Sequence, residues 1–130
     1  MKRKITILTA FCLAFVVALV FVVSMRPSEI SIRAMLPSEG ESLKSNSKVL
    51  LQLAIDYRLQ DLGGKLDLVV QTPAGLLSTK SVPLVKKEGS LELVEEIDVP
   101  DTSELHVFVP IYESGQTTST VVDSLVYTVN

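Results

Sequence analysis

Between residues 49 and 59 every second side chain is apolar: Val49, Leu51, Leu53, Ile55, Tyr57 and Leu59 share one parity. The other parity holds Lys48, Gln52, Asp56 and Arg58, with Leu50 and Ala54 as apolar exceptions. Side chains alternate across a strand, so this pattern predicts a long strand with one buried face. The pattern recurs along the chain. Leu66, Leu68, Val70 and Thr72 alternate with Lys65, Asp67 and Gln71, and Leu91, Leu93, Ile97 and Val99 with Glu92, Glu96 and Asp98. Leu105, Val107, Val109 and Ile111 give a further strand, and Leu125, Tyr127 and Val129 the last. Ile30, Ile32, Ala34 and Leu36 supply one ahead of these, and residues 76–84 a weaker one. Glu95 falls on the apolar parity of its segment, which predicts a bulge there. Pro83 and Pro110 lack an amide N–H, which predicts edge or bulged strands at those points.

Seven such segments, separated by turns every 8–12 residues or so, predict an all-β, antiparallel sandwich. All six glycines fall in the gaps or at their borders. After residue 25 about 105 residues remain, enough for one core and too few for two. Cys12 is the only cysteine, so no disulfide staples the domain and its stability comes from burial and hydrogen bonding. With no Trp and three of the four Phe at positions 11, 15 and 21, the core is expected to be built from Leu, Val and Ile.

The remaining part of the chain has a different solvent. Residues 5–25 form an apolar run without charge, proline or glycine, directly behind Lys2, Arg3 and Lys4. As a helix, at about 1.5 Å per residue, such a run spans a hydrocarbon core of roughly 30 Å. The basic residues predict a cytoplasmic N-terminus and a translocated C-terminal domain. The expected organisation is a basic stub at 1–4, a transmembrane helix or uncleaved signal anchor at 5–25, and an exported domain at 26–130. Cleavage near Ser24, with Val22 three residues before the cut, is the alternative outcome with the same orientation. Cys12 lies mid-run behind the bulky Phe11, which suits a membrane-helix filler better than a lipidated mature N-terminus.

The strand-like stretch Ile30-Ser31-Ile32-Arg33-Ala34-Met35-Leu36, followed by Pro37-Ser38-Glu39-Gly40, resembles the first strand and P-x-x-G turn of bacterial immunoglobulin-like and fibronectin type III-like modules. The closing Leu125-Val126-Tyr127-Thr128-Val129 is similar to their last strand. The resemblance implies an immunoglobulin-like sandwich of about seven strands that serves as a spacer, an adhesive unit or a binding accessory of a secreted or surface protein. The chain departs from such modules in lacking a core Trp and paired cysteines, and Tyr112 comes late in its strand for a tyrosine corner.

From Arg26 onward nine basic residues stand against fifteen acidic ones, a net charge of −6, whereas the whole chain carries −3. An acidic domain repels phosphate backbones, so no nucleic-acid partner is expected, nor a domain lying flat on an anionic membrane. His106 is the only histidine. A catalytic base needs a nucleophile and an orienting partner, and a metal site needs several converging ligands. No such constellation is written here, and no catalytic residue, cofactor or metal is expected. Glu92, Glu95, Glu96 and Asp98 alternate along a strand in place of converging on an ion, which predicts a solvated face.

Two candidate recognition features remain. His106, Phe108 and Tyr112 share one parity of the sixth strand, with Pro110 between them, and form a small aromatic patch if that face is open. Gln116, Thr117 and Thr118 occupy the most polar end loop, where sandwich domains commonly place specificity. The function expected is a membrane-anchored, extracytoplasmic, non-catalytic binding or structural module with a protein partner in the envelope. A cleaved, soluble domain that binds a glycan or inhibits a hydrolase is the alternative, and an enzyme is disfavoured. The sequence names no small-molecule ligand.

Overall fold

A computed structural model describes residues 27–119 and 121–130. The expected membrane segment at 5–25 lies outside the described residues. Among those residues no helix is long and apolar enough to cross a membrane.

The seven strands are β1 (Glu29–Leu36), β2 (Ser47–Arg58), β3 (Gly64–Thr72), β4 (Gly75–Leu84), β5 (Glu88–Val99), β6 (Glu104–Glu113) and β7 (Val121–Thr128). They form a three-stranded sheet of order β1-β2-β5 and a four-stranded sheet of order β4-β3-β6-β7. Every strand pairing is antiparallel. The chain changes sheet between β2 and β3, again between β4 and β5, and back between β5 and β6. This is the layout of an immunoglobulin-like β-sandwich.

The alternating apolar side chains of both sheets meet in the middle. Leu51, Leu53 and Ile55 of β2 face Leu66, Leu68 and Val70 of β3 and Val107 and Val109 of β6, all buried in one core. Burial of apolar area at roughly 25 cal/mol per Å² supplies the driving force. No described side-chain polar atom is buried without a partner.

Three details differ from the alternation read in the sequence. Ala34 and Leu36 do not share a face with Ile30 and Ile32. The β1–β2 register shifts between Ile32 and Ala34, so Arg33 is the extra residue and Met35 turns inward. Because side chains repeat every two residues, one inserted residue sends all that follow to the opposite face. Leu36 is consequently 59% exposed. Glu95 makes no bulge: β2 and β5 pair without interruption from Ser47↔Val99 to Arg58↔Glu88. It sits on the inner parity at the sandwich margin, where its carboxylate accepts from Ser78 Oγ at 3.3 Å and pairs with Lys80 Nζ at 4.0 Å.

Pro83 does lie on an edge strand, β4, but Pro110 lies in β6, between β3 and β7. The β3–β6 ladder keeps one register and skips Asp67 and Leu68, which fall opposite Pro110 and Val109. A proline lacking its N–H is tolerated by leaving out ladder bonds without a shift.

Side chains close both open margins. On one side Asp123 Oδ2 of β7 accepts from the Ile32 amide at 2.7 Å, and the Tyr127 hydroxyl donates to the Pro37 carbonyl at 2.6 Å. The segment after β1 then crosses to β7, with Leu43 N donating to Thr128 O (2.8 Å) and Asn130 N to Leu43 O (2.9 Å). On the other side Lys80 Nζ of β4 donates to the Val94 carbonyl of β5 at 3.2 Å. Edges with occupied backbone groups are poor templates for further strands.

At one end of the sandwich Glu113 gathers two separate segments. It accepts hydrogen bonds from the Ser28 hydroxyl, from the Gln60 amide (2.7 Å) and from the Asp61 amide (3.5 Å). Burial would raise its carboxyl, but the Ser28 hydroxyl and the two amides outweigh burial and hold it below the ordinary 4.5. A carboxylate depressed in the folded state contributes stability that is present above pH 4.5 and lost as pH falls through the lower folded value. Glu113→Gln is therefore expected to flatten the acid limb of a stability–pH profile recorded by urea unfolding at about pH 6 down to about pH 3. An unchanged acid limb would show that Glu113 does not set it.

Candidate functional site

The outer face of the four-stranded sheet is built from the non-core parity of four strands. Register places Gln71, His106 and Val126 in one row, Val69, Phe108 and Ser124 in the next, then Pro110 beside Val122, and Lys65 beside Tyr112. Phe108 and Val69 are half-buried, and Val122 and Val126 are exposed. They make an apolar centre on a sheet face that no described element covers, while Pro110, on the same parity, is itself buried.

Polar groups rim this centre. The His106 and Phe108 rings stack at 6.1 Å between centroids with planes 19° apart. His106 Nε2 donates to Glu104 Oε2 at 2.9 Å, which fixes the imidazole against the phenyl ring. At the other end Lys65 Nζ stands 4.8 Å from the centre of the Tyr112 ring. Lys65 also reaches Asp67 Oδ2 at 3.6 Å, and Asp67 Oδ1 accepts from Ser81 Oγ at 2.6 Å. Asp67 is 7% exposed although it lies on the outer parity. A row of paired polar groups thus crosses β4 and β3 and sets the Lys65 ammonium over the Tyr112 ring of β6.

The sequence reading gathered His106, Phe108 and Tyr112, and the structure places all three on this open face. It brings His106 against Phe108, and sets Tyr112 further along the row beyond Pro110. The reading missed Val69, Val122 and Val126, although apolar residues on the non-core parity of β3 and β7 were a visible signal. Gln116, Thr117 and Thr118 are exposed at the tip of the β6–β7 connection. The loop is anchored by Ser119, whose hydroxyl donates to Ile111 O and to Val121 O (2.9 Å), and by the turn bond from Gln116 N to Glu113 O (3.0 Å).

A concavity lies on the outer face of the other sheet. Ala34, Leu36, Gln52, Ala54, Glu92 and Val94 line a groove of about 340 Å³. It exists because the β1 bulge turns Ala34 and Leu36 outward beside the small Ala54. Further along the same face Arg58 stands between Glu29 and Glu88, 3.3 Å from each. Glu92, Glu96 and Asp98 are exposed and spaced along β5. Among the described residues no three His, Cys, Asp or Glu side chains converge as a metal site, and no hydroxyl is hydrogen-bonded to His106.

No family model matches the chain, and no curated protein matches it. Among solved structures it is similar to the CARDB domain of a Pyrococcus furiosus protein, crystallised in complex with di-metal ions. That likeness has 14% identity over 79% of this chain and 90% of the other, with a TM-score of 0.45. The solution structure of the same domain gives 13% identity over 79% and 92%, with a TM-score of 0.42. The C-terminal domain of wzt gives 12% identity over 79% and 70%, with a TM-score of 0.46. Values at this level carry no residue-by-residue correspondence, and the immunoglobulin-like sandwich is assigned from the strand order and register of the chain itself.

Proposed function

We propose that residues 5–25 anchor the chain in a membrane with its N-terminus inside, and that the sandwich acts outside the cytoplasm as a non-catalytic binding module for an envelope protein. The observation that carries the binding role is the in-register apolar centre of Val69, Phe108, Val122 and Val126, packed about the buried Pro110 and rimmed by His106, Tyr112 and Lys65. A flat apolar sheet face with an aromatic anchor and paired polar groups at its edge is the anatomy of a protein-docking surface. His106 held by Glu104 and stacked on Phe108 supports a contact role over an acid–base one.

The double substitution Phe108→Ser and Tyr112→Ser tests the surface. Both side chains lie outside the core, so the variant is expected to stay folded and lose at most about 2 kcal/mol. Crosslinked adducts to envelope neighbours, formed by the full chain in its own membrane, are expected to disappear. Collapse of folding in place of lost adducts would show that the aromatics serve the sandwich. Fractionation with intact-mass measurement tests the anchor. A full-length chain in the membrane pellet supports it, and a soluble chain cut near Ser24 favours the exported, ligand-binding alternative.

A further inference from the structure

The two most exposed large apolar side chains of the described residues are Val85 at 77% and Leu62 at 74%. They lie at the same end of the sandwich. Leu62 belongs to the connection between β2 and β3, and Val85 follows Leu84, which pairs with Gly64 at the start of β3. The Leu59 amide donates to Lys87 O at 2.6 Å and ties the two connections together. Lys86 and Lys87 follow Val85 directly and are exposed. Single exposed apolar residues are ordinary. What sets this pair apart is the chain that enters beside it.

Ser28 is fixed to Glu113 at this same end, and Glu113 also holds Gln60 and Asp61 next to Leu62. From residue 25 to residue 28 an extended chain reaches at most about 10 Å. On the reading that residues 5–25 cross a bilayer, which this inference rests on, the Ser28 end therefore stays within about that distance of the headgroups. We infer that this end docks on the lipid surface, with Leu62 and Val85 entering the interface and Lys86 and Lys87 meeting the headgroup phosphates. Two apolar tips with the lysines that follow Val85 match the layered chemistry of that interface, where long cationic side chains reach the phosphates. Glu92, Glu96 and Asp98 of β5 then stand away from an anionic surface, whereas of the carboxylates at the docking end Glu88 is paired with Arg58 at 3.3 Å and Asp61 lies beside Leu62, and the sandwich is held upright. Docking also fixes the orientation in which the face around Phe108 is presented to a partner.

Cys12 is the only cysteine, which makes the test direct. In a Cys12→Ala background the full chain is labelled with an environment-sensitive fluorophore at Leu62→Cys, at Val85→Cys, or at Thr102→Cys in the β5–β6 connection at the opposite end. Each is reconstituted into vesicles of phosphatidylcholine and phosphatidylglycerol carrying a headgroup-level lipid quencher. Quenching several-fold stronger at 62 and 85 than at 102, with a blue-shifted emission, is expected. A chain that alkaline extraction strips from the vesicles overturns the anchoring reading and this inference with it. A chain that resists extraction while its labels at 62 and 85 are quenched no more than that at 102 overturns this inference alone.

Discussion

Truncating Tyr127 to Ala is expected to cost the domain about 3–5 kcal/mol, as for other fully buried aromatic side chains. The top of that range reaches the lower bound of the entire stability of such domains, about 5–15 kcal/mol. Tyr127 is fully buried and packs into the core from β7, while its hydroxyl reaches the Pro37 carbonyl where the chain leaves β1. One side chain therefore fills the core and ties the last strand to the first. Tyr127→Phe separates the two roles: it keeps the ring, removes the bond to Pro37 and is expected to cost about 1–3 kcal/mol. Urea unfolding followed by circular dichroism measures both, since the chain has no Trp to report fluorescence.

The same phenol carries a signature in alkali. Burial, with the nearby charges of Glu39 and Glu41, pushes its pKa up from 10.0 to about 12. A group raised in the folded state contributes stability that is complete below its unfolded value and lost as pH rises through the folded one. The loss thus falls between about pH 10 and about pH 12. Spectrophotometric titration should show a late phenolate step in that range, absent from Tyr127→Phe. Persistence of the late step in the variant would assign it to another tyrosine.

Gly64→Ala is expected to destabilise by about 1–3 kcal/mol or more, the usual range for overpacking. An alanine costs little at most turn glycines without a positive φ, but here a Cβ would stand 2.4 Å from the Tyr112 carbonyl oxygen. That oxygen is backbone of the neighbouring strand, held where Gly64 pairs with Glu113 and Lys65 with Tyr112. It has no rotamer with which to retreat. Relief requires β3 to move from β6, which disturbs the Glu113 contacts to Ser28, Gln60 and Asp61 as well. A lowered melting temperature, together with weakened amide-exchange protection at Gln60, is the expected result. A variant as stable as the parent would mean that the strands separate there at little cost.

The strands themselves were legible because residues such as Leu51, Leu53 and Ile55 carry the buried parity without interruption. What escaped the sequence depends on partners outside each segment. Ala34 and Leu36 were read as inward because alternation within β1 says so, and the inversion at Arg33 is set by pairing with β2. Glu95 was read as a bulge because a carboxylate on the inner parity conflicts with a core. At the sandwich margin, Ser78 and Lys80 of the other sheet make that position polar. Proline breaks ladders, so Pro110 reads as an edge or bulge position, yet the ladder on its β3 side does without two pairs and keeps register. Phe108, His106 and Tyr112 were grouped from one strand's parity. Their neighbours Val69, Val122 and Val126 required knowing that β3 and β7 flank β6.

The course of β1 beside β7 bears on how the domain carries mechanical load. From Ile32 to Pro37 and from Asp123 to Tyr127 the two strands run in the same direction, and the bridge between Leu43 and Val129 continues the seam. Ser28 and Asn130 lie at opposite ends of that seam. Tension applied between them draws the strands lengthwise past each other. The links at Ile32–Asp123, Pro37–Tyr127 and Leu43–Val129 are then strained in shear and must yield together, in place of peeling one at a time. Resistance to such pulling is a property of the unfolding rate more than of equilibrium stability. A module tethered at its Ser28 end would hold its shape under a tug from the far end better than its overall stability suggests.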